Sequence, residues 1–158
     1  FCIGKKIADN KNTLRKIDRQ GHLIGNHSYS HSTLFDLYAS DKMKKELGET
    51  NDLIFEAIGK KPLLFRPPYG VTNPALRNAV KQLGMQSIGW NLRSFDTVRN
   101  KEKVLRKLIK RTQPGAVALM HDTTEDILEI TQSYLEWLKK EGYKVVSLEQ
   151  LFNIHAYA

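Results

Sequence analysis

Two histidines four residues apart, His27 and His31, are the side chains of this chain that most directly suggest chemistry. On a helical turn this spacing would bring both imidazoles to one point. Neutral imidazole nitrogens bind Zn²⁺ well, and a catalytic zinc site takes three protein ligands and leaves a position for water. The pair therefore supplies two ligands of a candidate metal site. Surface or hydrogen-bonded histidines at this spacing are the alternative interpretation.

A short loop with the sequence Arg66-Pro67-Pro68-Tyr69-Gly70 is the second unusual feature. The two prolines fix the backbone, the glycine permits a close approach, and the arginine can bind a carboxylate through two hydrogen bonds. A rigid structural loop would explain the same residues, so this loop alone does not identify a site.

A histidine and an aspartate further along the chain are candidates for proton transfer. His121 follows an apolar run that ends at Met120, and Asp96 lies in the segment that begins at Trp90. An imidazole exchanges a proton near neutral pH, so His121 could act as an acid while Asp96 orients a histidine. A hydrogen-bonded structural histidine and a surface-loop aspartate are the alternatives.

Helical and strand-like patterns alternate along the whole chain, and these elements must position the four motifs. Helices are predicted at residues 5–19, 40–58, 74–83, 101–111 and 124–141, and a last helix follows a capping box of Ser147 and Gln150. Strands are predicted at residues 22–25, 63–65, 85–90, 116–120 and 144–146. This alternation predicts an α/β fold with a parallel sheet, either a barrel or a doubly wound sheet. In both architectures the carboxyl ends of the strands carry the site, and the four motifs follow strand ends.

The chain has 158 residues, which is the size of one domain. It contains a single cysteine, so no internal disulfide can form. No apolar run is long enough to span a membrane, and residues 1–4 lack the layout of a signal peptide. The net charge is +8, which admits an acidic partner. The positive residues are spread along the chain, and those at residues 101–111 alternate with apolar ones, which favours a solvated helix face over nucleic-acid binding.

The order and spacing of the motifs resemble the polysaccharide deacetylase family, the NodB-homology domain of carbohydrate esterase family 4. The resemblance is carried by His27-Ser28-x-x-His31, the loop at residues 66–70, the segment from Trp90 to Asp96, and Leu119-x-His121. It covers nearly the whole chain, as one domain over residues 1–158. It implies a distorted (β/α) barrel and metal-dependent removal of an N-acetyl or O-acetyl group from an acetylated polysaccharide.

The resemblance also implies a role for each residue. His27 and His31 would bind a divalent metal, most plausibly Zn²⁺, and His121, oriented by Asp96, would protonate the leaving group. Arg66 would pair with the catalytic base. The Tyr69 backbone amide would donate a hydrogen bond to the oxyanion, and Pro67, Pro68 and Trp90 would belong to the same oxyanion- and substrate-binding site.

The sequence departs from the family upstream of the two histidines. Family members carry a strand ending in Thr-Phe-Asp-Asp-Gly, whose first aspartate is the general base and whose second is the third metal ligand, and this chain contains no Asp-Asp pair. We therefore expect the barrel's first strand and helix to be missing. Asp9 and Asp18 lie in a helical segment and are not expected to substitute. Arg93 and Thr97 stand where the family often has an acidic residue and a tryptophan.

These observations lead to a first hypothesis, that the chain is a fragment of a polysaccharide deacetylase whose complete gene product would supply the missing aspartates. As given, the chain is expected to bind metal weakly and to turn over little or no substrate. The alternative is a non-catalytic relative that binds a glycan or a protein, and nucleic-acid binding ranks last. An open barrel seam would favour dimerisation or strand exchange. Family members act on envelope or extracellular glycans, which suggests an extracytoplasmic setting.

Overall fold

The computed structural model describes all residues from Phe1 to Ala158 and divides them into two compact units. The larger unit consists of Phe1–Gly89 and Ser147–Ala158, and the smaller unit is Trp90–Val146. Each is described by itself. No helix in either unit is long and apolar enough to cross a membrane.

The larger unit contains five α-helices and two short strands. The helices are α1 (Gly4–Ile7), α2 (Lys11–Arg19), α3 (Ser40–Ile58), α4 (Pro74–Gln82) and α7 (Leu148–Phe152), and the strands are β1 (Leu64–Phe65) and β2 (Gln86–Ser87). Single 3-10 turns lie at Ala8–Asn10, Phe35–Leu37 and Pro68–Gly70. The first of these turns divides the predicted helix at residues 5–19 into α1 and α2.

Caps explain where several helices begin and end. Asn73 accepts a hydrogen bond from the Leu76 backbone at the start of α4, where Pro74 occupies the first helical position, and the capping box of Ser147 and Gln150 is present at α7. Although serine is a good helix cap, Ser40 is the first residue of α3 and not its cap, and the preceding Ala39 makes no side-chain cap. Gly59 ends α3 with φ +70°.

Parallel pairing in the larger unit brings four chain segments side by side. The order is Cys2, Asn26, β1 and β2, with single bridges from Cys2 to Asn26 and from Asn26 to Phe65, and with Phe65 opposite Ser87. Because Asn26 and Phe65 are neighbours, the residues that follow them, His27 and Arg66, leave the same end of the sheet.

The smaller unit contains two helices and two paired strands. These are β3 (Leu92–Arg93), α5 (Lys101–Arg111), β4 (Ala118–Leu119) and α6 (Ile127–Lys140). β3 and β4 run parallel, with Arg93 opposite Leu119. Asp96 and His121 therefore follow neighbouring strands at the same end.

The predicted strands are longer than the observed ones. Residues 22–25 and 144–146 form no strand, and the segments at 63–65, 85–90 and 116–120 each retain two strand residues. Helices account for most of the apolar contacts instead. The largest core cluster of the larger unit includes Phe35, Met43, Leu47, Phe65 and Leu76, and that of the smaller unit includes Leu92, Val104, Leu108, Ile130 and Tyr134.

Candidate active site

His27 and His31 lie close together in a loop, so the prediction that they share a helical turn is wrong. Their ring centroids are 4.7 Å apart with an interplanar angle of 63°. The backbone reaches this arrangement through two residues in the left-handed region, Ser28 with φ 62° and His31 with φ 50°. Such conformations are uncommon for residues other than glycine and persist where the surroundings hold them.

Asn26 holds the inner side of this histidine loop, residues 27–31. Its buried side chain donates to the Leu47 carbonyl at 2.8 Å and to Asn51 Oδ1 at 2.7 Å, and accepts from the Ser28 backbone at 2.9 Å. The Ser28 hydroxyl in turn accepts from the His31 backbone at 3.1 Å. The two left-handed residues are therefore fixed by hydrogen bonds to α3 and within the loop.

Glu46 of α3 holds the outer side of the histidine loop. Its carboxylate accepts from the backbone amides of Tyr29 and Ser30 at 3.1 and 2.8 Å and from the Ser30 hydroxyl at 3.0 Å. Sequence reasoning missed both Glu46 and the side-chain role of Asn26. Glu46 lies 16 residues from Ser30 on a helix face with mixed charges, and nothing in the sequence distinguishes it from its neighbours.

The tautomer of His27 leaves one of its two ring nitrogens available to bind a metal. Its Nδ1 lies 2.6 Å from the Arg66 carbonyl, and donation to that oxygen leaves the lone pair on Nε2. Burial is the main cause that lowers the pKa of His27 to about 4, and His31 adds to the effect. His27 is therefore neutral at pH 7, the form that binds metal.

The donor set is a pair of imidazoles without a third protein ligand. The chain contains no group of three or more His, Cys, Asp or Glu side chains placed to hold a metal ion. Asp9 lies in the 3-10 turn Ala8–Asn10, and Asp18 forms a salt bridge with Lys60 at 2.6 Å. The tautomer of His27 suits a divalent metal, and two imidazoles supply two of the three ligands that a catalytic zinc site takes.

Arg66 extends from the end of β1 along the neighbouring segment. Its guanidinium donates to the carbonyls of Ile88 and Gly89, both at 3.3 Å, and lies 4.2 Å from the centroid of the Phe1 ring. Burial lowers the pKa of Arg66 to about 10, so it remains positively charged at neutral pH. Its pairing with a catalytic base stays a prediction.

The proline loop brings an aromatic ring to the histidines. Pro67 and Pro68 are buried, and Tyr69 takes φ 57° in the turn that follows. The Tyr69 ring is 56 % exposed, and its centroid lies 5.0 Å from that of His31. The structure thus brings His27, His31, Arg66 and Tyr69 together in the larger unit.

Asp96 and His121 form a tightly bonded pair in the smaller unit. The Asp96 carboxylate accepts from the His121 backbone amide at 2.6 Å, and its Oδ1 lies 2.9 Å from His121 Nδ1. The Ser94 hydroxyl donates to the same carboxylate at 2.8 Å. Burial acts to raise the pKa of Asp96, but the hydrogen bonds from His121 and Ser94 outweigh it and lower that pKa below its ordinary value.

The two members of this pair differ in exposure, which suits different roles. The Asp96 side chain has no exposed surface, whereas 39 % of the His121 side chain is exposed. With Nδ1 turned to the carboxylate, His121 presents Nε2 outward. Trp90, by contrast, is half-buried and precedes β3, at the opposite end of that strand from Asp96.

Comparison with known proteins finds relatives of this chain. Residues 1–88 match the family model for polysaccharide deacetylase. The chain is 31% identical over 156 residues to the peptidoglycan-N-acetylmuramic acid deacetylase PdaA of Bacillus subtilis, covering 96% of this chain and 59% of PdaA. It therefore spans less than two thirds of that relative.

Two solved structures share the fold over nearly the whole chain. Peptidoglycan deacetylase PdaC from Bacillus subtilis matches with a TM-score of 0.89 and 28% identity, over 97% of this chain and 74% of that one. BA3943, a pseudoenzyme of carbohydrate esterase family 4 from Bacillus anthracis, matches with a TM-score of 0.86 and 27% identity, over 94% of this chain and 53% of that one. The predicted fold class is confirmed.

Proposed function

Because this chain belongs to the polysaccharide deacetylase family, we propose that its site serves metal-assisted hydrolysis of an acetyl group on a cell-envelope glycan. The observation that carries the proposal is the pair of imidazoles whose ring centroids lie 4.7 Å apart on a fixed loop. The names of PdaA and PdaC support peptidoglycan as the glycan and the cell envelope as the setting. The acetyl group hydrolysed is an N-acetyl or an O-acetyl group of that glycan.

In this proposal His27 and His31 hold the metal. A divalent ion such as Zn²⁺ supplies two things when bound, polarisation of the acetyl carbonyl and activation of a water. The Tyr69 amide donates a hydrogen bond to the developing oxyanion, and the buried Pro67 and Pro68 keep that amide in place.

Proton transfer is assigned to the Asp96–His121 pair. His121 donates a proton from Nε2 to the departing amine or alkoxide, while Asp96 accepts from Nδ1 and prevents the ring from turning. Arg66, positively charged and half-buried beside the strand end, would pair with an acidic group acting as base, a group that this chain does not itself place beside the two histidines.

The chain by itself is proposed to bind metal weakly and to turn over slowly. Its own donors are two imidazoles, with no carboxylate among them to act as third ligand or base. A site with two protein ligands leaves the remaining positions to water or to an anion from solution. Added formate should therefore raise metal affinity more than chloride does at equal ionic strength.

Zn²⁺ titration by calorimetry tests the metal part of the proposal. His27→Ala and His31→Ala should each weaken binding by about tenfold or more, since each removes one of two protein ligands. His22→Ala and His155→Ala are matched controls, because both histidines are exposed and lie outside the site. Equal losses in all four variants would refute the assignment.

Acetate release from acetylated peptidoglycan fragments tests the chemical part. We expect slow release that needs added metal and falls by about 100-fold or more in His121→Ala, in line with the loss of a general acid. Release that is equal with and without a chelator would overturn the proposal.

A non-catalytic relative that binds a glycan is the second candidate, and the likeness to the BA3943 pseudoenzyme favours it. It predicts that the chain binds acetylated fragments with a measurable dissociation constant yet releases no acetate under any metal. Binding of the glycan together with metal-dependent release would exclude this candidate.

A further inference from the structure

Six basic side chains of the smaller unit line one open surface depression of about 300 Å³, named the basic groove. They are Arg99, Lys103, Arg106, Lys107, Lys110 and Arg111. All but Arg99 belong to α5. The sequence suggested that positive charge is spread along the chain, but the fold concentrates these six around one surface.

The spacing of these residues explains why they share a face. Lys103, Arg106 and Lys110 follow one another at three or four residues, which places them in a row along α5, and Arg99 lies just before the first turn of that helix. Val104 and Leu108, on the opposite face, are fully buried in the core of the smaller unit. The groove is therefore the solvent face of a firmly anchored helix.

No acidic side chain neutralises the basic groove. None of its six residues forms a salt bridge, and the one acidic residue of α5, Glu102, does not line the groove. Other helix faces mix the two signs, as in the Lys45–Glu49 pair of α3. Burial and then repulsion from Arg99, Arg111 and Arg93 lower the pKa of Lys107, which agrees with an uncompensated positive field.

Phe95 organises one end of the groove. Its ring is approached by Arg93 and Arg99, each 4.9 Å from the centroid, and by Lys107 at 3.8 Å. Cation–π contacts of this kind limit the positions of long side chains. Two groove cations are thus held near each other before any ligand binds, which reduces the entropy lost on binding.

We infer that the basic groove binds a linear anionic polymer of phosphodiester-linked polyol units, such as a poly(glycerol phosphate). Arginine and lysine in a row match repeated phosphates, since arginine binds phosphate through two hydrogen bonds and lysine through its point charge. Such an interaction would hold the protein on a phosphate-bearing polymer independently of any deacetylase activity.

Two other polyanions fit the groove less well. Single-stranded nucleic acid is normally held by aromatic side chains on which bases stack, but Phe95 is half-buried and its ring is taken by three cations. A membrane-surface helix inserts its apolar face into lipid, whereas the apolar face of α5 is buried in the core. A polymer of phosphates without bases or acyl chains needs neither feature.

Salt-dependent binding of the whole chain to soluble poly(glycerol phosphate) tests the inference. The test variant is Lys103→Gln/Arg106→Gln/Lys110→Gln, and the control is Lys139→Gln/Lys140→Gln/Lys144→Gln, which removes three exposed charges elsewhere in the same unit. Glutamine favours helices about as much as lysine and arginine do, and circular dichroism checks that both variants are folded.

The groove variant should bind about tenfold or more weakly at about 100 mM salt, and the slope of log affinity against log salt should fall by about 2. The control variant should change the affinity by less than about threefold. Equal weakening in both variants would show an effect of net charge alone and refute the groove. Tighter binding to duplex DNA or to vesicles of phosphatidylglycerol at equal phosphate would also refute the choice of ligand.

Discussion

Replacement of Asp96 by asparagine tests how far one buried carboxylate organises the Asp96–His121 pair. The carboxylate accepts three hydrogen bonds, at 2.6 Å from the His121 amide, 2.8 Å from the Ser94 hydroxyl and 2.9 Å from His121 Nδ1. Asparagine keeps one acceptor oxygen and replaces the other with an NH₂ group. That NH₂ would face a donor, either the His121 amide or its ring.

The expected loss in the free energy of unfolding follows from these contacts. A hydrogen bond to a charged group contributes about 1.5–3 kcal/mol, and a buried donor left without an acceptor costs about 1–3 kcal/mol. Reorientation of the Ser94 hydroxyl, which can accept as well as donate, recovers part of the loss. We expect Asp96→Asn to lower the free energy of unfolding by about 2–3 kcal/mol at pH 7.

The loss of stability caused by Asp96→Asn should be smaller in acid than at neutral pH. Because the pKa of Asp96 is lowered in the folded state, its carboxylate contributes stability above the unfolded pKa of about 3.9. This contribution is lost as the pH falls through the lower folded value. The difference between the wild-type chain and the Asp96→Asn variant should therefore be constant near neutrality and shrink in acid.

Urea unfolding at a series of pH values, followed by circular dichroism, measures this difference. Asp122→Asn is the matched control, because Asp122 is an exposed aspartate of the same unit and should cost less than about 0.5 kcal/mol. A penalty for Asp96→Asn that is the same at pH 3 and pH 7, or no larger than that of the control, would refute the account.

Three further predictions concern the support of the histidine loop and the glycines of α1 and α3. Asn26→Ala removes three buried hydrogen bonds and should cost about 3 kcal/mol in urea unfolding. Replacement of the exposed Asn78 of α4 by alanine should cost about 0.5 kcal/mol, and equal costs in the two variants would count against the network. Gly48→Ala, whose new methyl meets nothing within 4 Å, should raise the thermal midpoint by adding about 0.5–1 kcal/mol. Gly4→Ala should lower the free energy of unfolding by about 1–3 kcal/mol, because its methyl would lie 2.5 Å from Thr50 Oγ1 and 2.9 Å from the Tyr29 backbone. A Gly4 variant as stable as the wild-type chain would contradict this packing.

Helices of this fold could be read from the sequence because their signals are local. The predicted helix at residues 101–111 has the observed bounds of α5, and Asn73 with Pro74 marks the start of α4. Strands are a different case, since pairing is decided by neighbours that are distant along the chain. The segment at residues 85–90 is predicted as a strand, yet only Gln86 and Ser87 pair with β1.

The contacts that support the site could not be predicted, because they join residues that share no sequence signal. Glu46 reaches the histidine loop from a helix face, and Ser94 reaches Asp96 from a strand end. Serine and glutamate are common at such positions in any protein. Their roles follow from where a hydroxyl or a carboxylate lies relative to a backbone amide, and that is a property of the folded chain.

Residue spacing along the chain predicts which side chains meet less reliably than register between parallel strands does. The four-residue interval between His27 and His31 predicts neighbouring rings through a helical turn, yet the rings meet because Ser28 and His31 adopt positive φ. The same interval in an extended segment would separate the rings by more than 10 Å. Parallel register is the sounder argument, since Asp96 and His121 meet for the reason expected of residues that follow adjacent parallel strands. Two rings expected to meet from spacing alone therefore need a backbone conformation that brings them together, and here Asn26 and Glu46 hold that conformation.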